Sequence, residues 1–254
     1  MVFPKSHFAG TLPMAASVAI LAGCATGPVL EQRLGQVLPN DASASYDAPS
    51  DTVTLSKGGS SVVLAKTGTV GAASLFGNAG DTSNALYMET ASGKGKVVVF
   101  SSQDTDLGLV GAIASRDAEV TLPTSGTAAF NGGYEGLIVR ASDKVALTTT
   151  QGTTCLTANF GASSISGGII SRSTSAADIV IPSTSLSAGG VFSGPVTGGQ
   201  FSSGTASNGR IAGMFADVGA GEIVGALQLD HNISGADFYE VGGFTTVAGA
   251  GVCP

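Results

Sequence analysis

"GGVFSGPVTGGQFSSGTASNGRIAGMFADVGAGEIVGALQLDH", residues 189–231, is a succession of short apolar segments broken by turns. The segments are of strand length, and the breaks are rich in Gly, Ser and Asn, whose backbones accept tight-turn angles. No gap is long enough for a crossover helix, so successive strands are expected to pair antiparallel. The same grammar runs upstream. In "TTCLTANF" (153–160), Leu156, Ala158 and Phe160 share one face, while Cys155, Thr157 and Asn159 share the other. In "ADIVIP" (177–182), Ala177, Ile179 and Ile181 share a face. "GTAAFNGGYEGLIVR" (126–140) reads as two strands joined at Asn131-Gly132, a dipeptide suited to a hairpin turn. About eight or nine evenly spaced strands over residues 123–231 predict a meander that closes into an eight-stranded barrel, because closure removes unpaired edges. A sandwich is the alternative. Gly136, Gly167, Gly194, Gly213 and Gly225 fall inside these strands and would admit close neighbours.

The region before the barrel, residues 51–122, alternates short apolar runs with turns, among them Val97-Val98-Val99-Phe100. It predicts a small β-rich N-terminal domain with one helical turn near Val110–Ser115. Residues 24–50 contain a short candidate helix at Leu30–Val37 and then "PNDASASYDAPSD", read as a flexible tether, with an edge segment of the first domain as the plainer alternative. Residues 232–254, Gly-rich, are read as a C-terminal tail packed on the barrel.

The first 23 residues have a different character. One cation, Lys5, precedes a mostly apolar run from Ala9 to Leu21, 13 residues and too short for a bilayer core, which needs about 20. A basic start, a short apolar run and small residues at its end have the form of an export signal. The run ends in Leu21-Ala22-Gly23-Cys24, which resembles the bacterial lipobox. That resemblance implies cleavage before Cys24, a diacylglycerol thioether on its thiol and an acyl chain on its new amine. Ala25 follows with no Asp that would signal inner-membrane retention, so the outer membrane is expected, with the cell surface favoured over the periplasmic face. An ordinary signal peptide is the plainer alternative.

The mature chain would hold 231 residues, with ten Lys+Arg left after Lys5 is lost, against 18 Asp+Glu. A net charge of about −8 argues against nucleic acid, whose phosphates it would repel. Two cysteines remain, Cys155 and Cys253. In an exported protein an isolated pair most simply forms a disulfide, and a pair of free thiols is the alternative. Since Leu156 faces the core, Cys155 is expected to face outward, and the bridge would pin the C-terminal tail to the barrel wall.

"LPTSGTAAFNGGYEGLI", "CLTANFGASSISGGI" and the stretch from Gly189 to Leu229 together resemble the barrel domain of the transferrin-binding protein B superfamily of surface lipoproteins. The matching positions include Tyr134, Gly136, Ala158, Phe160, Gly167, Gly199, Phe201, Ile211, Gly213 and Phe215, over about 110 residues. The resemblance implies an all-β chain whose C-terminal eight-stranded up-and-down barrel follows a smaller β-rich region. It also implies a non-catalytic outer-membrane protein that binds a protein ligand, or an iron or haem carrier, through barrel loops, with an outer-membrane receptor as a further partner. No ligand-binding residue transfers with it.

No catalytic or metal constellation stands beside these features. The mature chain has a single histidine, His231, too few for a multi-His metal site. Asp230-His231 lacks a Gly-x-Ser-x-Gly elbow and reads as a solvated strand end. Glu135, Asp178, Asp217 and Glu222 read as solvated carboxylates, and the glycine clusters lack the Lys-Ser/Thr of a phosphate loop. No cofactor is expected. A structural or adhesive envelope protein, and a carrier of a small apolar molecule inside the barrel, are the competing functions.

Overall fold

A computed structural model describes residues 30–249, apart from 79, 81, 118, 174–175 and 202–207. The lipobox-like segment, with Cys24, and Cys253 lie outside the described residues. Among the described residues every regular element is a strand. The N-terminal half contains β1 (Leu30–Val37), β2 (Ser43–Asp47), β3 (Thr52–Lys57), β4 (Ser60–Val70), β5 (Ala73–Gly77), β6 (Ser83–Glu89), β7 (Gly95–Ser102) and β8 (Val110–Arg116). They form one antiparallel sheet in the order β1-β8-β7-β6-β5-β4-β3-β2. The C-terminal half contains β9 (Thr127–Arg140), β10 (Ala146–Asn159), β11 (Ser164–Ile170), β12 (Ile179–Ser185), β13 (Val191–Gly198), β14 (Asn208–Phe215), β15 (Glu222–Ile233) and β16 (Ala236–Ala248). These eight close into an antiparallel barrel in which β16 pairs with β9.

The barrel expected from the alternating pattern is therefore present, and five local readings need correction. Leu30–Val37 is a strand paired with β8, not a helix. Leu30 and Leu34, both packed on the core beneath the sheet, are four residues apart, a spacing that puts side chains on one face in either conformation. With β2 also in the sheet, residues 30–47 belong to the folded body and not to a tether. Val110–Arg116 is strand β8 throughout. Residues 236–248 are a wall of the barrel, so the presumed tail supplies the strand that closes it. Finally, Asn131-Gly132 lies within the single long strand β9. Gly132 serves close approach, since a Cβ there would stand 1.9 Å from the Thr245 carbonyl oxygen of β16.

The barrel core is built from a size alternation around the wall. Along one layer Phe192 is paired with Gly213, Gly213 with Gly225, Gly225 with Phe244, Phe244 with Tyr134 and Tyr134 with Gly152. The Phe192 ring lies over Gly213 and the Phe244 ring over Gly225, where a Cβ would come within 2.5 and 2.2 Å of ring carbons. Phe130, Phe215, Leu156, Ile211 and Leu227 complete a solid interior. At the end formed by the 160–163 and 216–221 turns, Phe130 meets Phe215 edge-on at 5.3 Å and Phe160 tilts against it at 5.8 Å.

Apolar runs without alternation mark strands covered on both sides. In β7, Val97 and Val99 face the barrel, while Val98 and Phe100 face the opposite core of the N-terminal sheet. In β15, Ile223, Leu227 and Leu229 point into the barrel, whereas Val224 and Ala226 lie beneath the sheet. Each buried Val, Leu, Ile or Phe among them contributes about 1.5–3 kcal/mol relative to exposure. The two halves thus share one apolar interface, made of Leu86, Met88, Val97, Val99, Ala112 and Ala114 against Leu137, Val139, Met214, Val224, Ala226 and Val241. The remainder of the N-terminal sheet curls over its other face until Tyr46 of β2 stacks on Tyr87 of β6, with ring centroids 4.1 Å apart.

Candidate functional site

At one end of the barrel, beside the connections that carry Arg172 and Phe201, four polar side chains meet inside the wall. Glu240 of β16 stands at the centre. Its Oε1 accepts a 2.7 Å hydrogen bond from the Tyr134 hydroxyl, and its Oε2 lies 2.9 Å from Nε2 of His231. The Arg172 Nη2 donates to the same Oε2, completing an ion pair whose two side chains are 0% exposed. Arg172 Nη1 donates to the carbonyls of Ala177 at 3.1 Å and Gly199 at 2.8 Å. Its guanidinium carbon also lies 5.9 Å from the centre of the Phe201 ring, which packs 4.7 Å from the His231 imidazole. The cluster joins three strands to two connections.

Burial alone pushes the Glu240 carboxyl upward, but the His231 contact, the Arg172 charge and the Tyr134 hydroxyl outweigh it and hold the group below its ordinary value. Tyr134 is driven well above the usual phenol range, first by burial and then by the Glu240 charge. Glu240 is therefore an anion and Tyr134 a neutral donor at physiological pH. Glu240 and Tyr134 are 0% exposed, His231 4% and Arg172 7%, and the partners named here belong to the cluster itself and to the Ala177 and Gly199 carbonyls.

Sequence reasoning missed this site. His231, read as solvated, is buried on Glu240 because β15 continues into a paired hairpin with β16. Glu135 and Glu222 are likewise buried between the two halves. Glu135 Oε1 accepts from the Ala72 amide at 2.9 Å, and Glu222 accepts from the Ser92 amide at 2.9 Å and its hydroxyl at 2.5 Å. Burial raises the Glu135 carboxyl, an effect only partly offset by the Ala72 bond. Asp217 accepts from the amides of Gly221 and Glu222, which makes it a turn former, and Asp178 Oδ1 accepts from the Ser171 amide at 3.2 Å. The one usable signal was the register of "VGGFTTVA" as a strand, which would have brought Glu240 alongside Leu229 and Ile138.

Cys155 lies on the outer side of β10, as alternation predicted, between Asn131 and Gly168. It is only 2% exposed and is disulfide-bonded. The wall around it, on β10 and β11, is built from Thr153, Thr157, Ser164 and Ser166. This wall faces away from the apolar interface.

A concavity of about 430 Å³ lies where the curled edge of the N-terminal sheet approaches its own face. Tyr46, Tyr87, Glu89, Lys96, Val98 and Asp117 line it. Tyr87 donates to Glu89 at 2.7 Å and Lys96 pairs with Asp117 at 2.9 Å, so most of its polar groups already have partners. Among the described residues no group of His, Cys, Asp and Glu is arranged to hold a metal ion.

No protein-family model and no curated protein matches this sequence. Solved structures are similar at low identity. HpuA from Kingella denitrificans in complex with human haemoglobin is 15% identical, with 87% of this chain and 92% of that chain covered at a TM-score of 0.48. Intact Ap-TbpB, with its N and C lobes, is 15% identical over 82% of this chain at a TM-score of 0.47. A mutant of Transferrin Binding Protein B from Haemophilus parasuis is 12% identical over 89% of this chain at a TM-score of 0.48. The chain spans about half the length, 46%, of either TbpB chain.

Proposed function

We propose that this chain is a non-catalytic lipoprotein of a bacterial outer membrane, anchored through Cys24, that captures a protein ligand through its barrel loops. The observation that carries the reading is the solid barrel interior. Six rings, of Phe130, Tyr134, Phe192, Phe215, Phe244 and the slightly exposed Phe160, fill it together with aliphatic side chains. A lumen packed in this way disfavours an internal apolar cargo and leaves recognition to the surface, where a rigid wall positions connecting loops. The buried Arg172–Glu240 pair ties two of those connections to the wall, which suits a preorganised binding surface. The lipobox and the outward Cys155, bridged in this reading to Cys253, fit export.

Two experiments test the proposal. Metabolic labelling with palmitate should tag the wild-type protein and leave Cys24→Ser unlabelled; label absent from both would remove the anchor. The soluble form beginning at Ala25 should retain a specific protein in a pull-down. Haemoglobin and transferrin, together with other iron and haem carriers, are the first candidates. Failure to retain any of them would overturn iron-carrier capture in favour of a structural or adhesive role.

A further inference from the structure

Resting on the lipid-anchor reading, we infer that the chain stands on the membrane in one orientation, with the 216–221 end of its barrel toward the bilayer and the Arg172–Glu240 end outward. The argument starts from the length of chain between Cys24 and the first strand. The expected tether of 24–50 is not free along its length, because β1 begins at Leu30 and is paired with β8 from that residue on. Six residue steps separate Cys24 from Leu30, which span about 20 Å when fully extended.

Three contacts locate Leu30 on the body. Leu30 is paired with Arg116, whose guanidinium donates to the carbonyls of Phe215 at 2.8 Å and Gly189 at 2.7 Å. Both acceptors belong to the barrel end that carries the 186–190 and 216–221 turns. Six residues further along β1, Gln36 donates at 2.5 Å to Asp230, next to His231 at the other end. Strand β1 therefore runs the length of β15 and enters at the 216–221 end.

The strands of the wall set the distance between the ends. β15 has 12 residues, which at about 3.3 Å each and an ordinary barrel tilt gives about 30 Å from end to end. With the Arg172–Glu240 end facing the bilayer, Leu30 would stand about 30 Å from the surface, beyond its leash. With the 216–221 end facing down, the leash reaches easily. The downward end carries Val218, 67% exposed, while Val180 and Leu147, 52% and 44% exposed, lie at the outward end with the 141–145 and 234–235 turns. The outward end is then the surface offered to a protein partner.

Full-length lipidated protein in phosphatidylethanolamine/phosphatidylglycerol vesicles tests this, with a fluorophore on Val218→Cys or on Ser142→Cys and a quencher in the lipid headgroups. The expected result is several-fold stronger quenching at position 218 than at 142, and insertion of a long Gly/Ser linker between Ala25 and Thr26 should abolish the difference. Equal quenching without the linker, or stronger quenching at 142, overturns the inference. Native lysines give a reading free of substitution. Acetylation of Lys94, beside the downward end, should slow on vesicles relative to detergent while Lys144 is unchanged, and the reverse pattern overturns the orientation. If the protein carries no lipid on Cys24, mass spectrometry of the N-terminal peptide reports it directly. That result overturns the anchor as well as the orientation drawn from it.

Discussion

Arg172 and Glu240 form an ion pair with both side chains wholly out of solvent, across 68 residues of sequence. The pair has no bulk water to relax its charges, so each partner depends on the other.

Removing Glu240 alone should be severe. Glu240→Ala leaves a buried guanidinium with its two carbonyl acceptors but no counter-charge, a change expected to cost about 3–5 kcal/mol. Tyr134→Phe deletes one bond to a charged acceptor and should cost about 1.5–3 kcal/mol. Guanidinium unfolding of the three proteins checks the order, and Arg172→Met combined with Glu240→Met should recover part of the loss.

Glu240 also predicts an acid limb. Its folded-state value lies below the ordinary 4.5, so the folded chain binds fewer protons than the unfolded one in that range. The stability it contributes is present above 4.5 and is lost as pH falls through the lower, folded value. A urea titration at stepped pH should show this loss in wild type and a shallower slope in Glu240→Gln.

Glu135 predicts the opposite sign. Its carboxyl is raised by burial, and its Oε2 has no partner among the described residues. The folded state favours the protonated form, so stability falls as pH rises from the ordinary value of 4.5 through the raised one. Glu135→Gln, still able to accept from Ala72, should remove that slope and raise the melting temperature at neutral pH. Glu135→Ala leaves the Ala72 amide without its acceptor and should lose about 1–3 kcal/mol. Calorimetry at pH 5 and pH 8 (about three pH units apart) separates the two.

Gly225→Ala should unfold part of the population. The new methyl would meet the Phe244 ring at 2.2 Å and the Ala212 carbonyl at 2.7 Å, an overpacking expected to cost about 1–3 kcal/mol or more. Adding Phe244→Leu should restore some of it, whereas a merely local strand effect would not respond to the second change.

Reduction of the Cys155 disulfide should lower stability by about 2–5 kcal/mol. Unfolding with and without reductant measures the loss, and non-reducing peptide mapping identifies the partner, proposed as Cys253. Recovery of Cys155 as a free thiol would contradict the pairing.

Strand composition, turn chemistry and two-residue alternation were enough to read an all-β chain with an antiparallel barrel, because these are local properties of neighbouring residues. Leu156, Ala158 and Phe160 facing inward and Cys155 facing outward follow from the strand's own geometry. What the tertiary structure decided is where a local signal had two meanings. Asn131-Gly132 suits a hairpin turn, yet the approach of Thr245 makes it part of a continuous strand. Leu30 and Leu34 suit a helix, yet the open edge of β8 takes them as a strand. Glu135, Glu222 and His231 are polar and read as solvated, and Glu240 drew no reading at all, since burial and partners many residues away leave no trace in local pattern. Only closure of the barrel and docking of the sheet on its wall bring those partners within hydrogen-bonding distance.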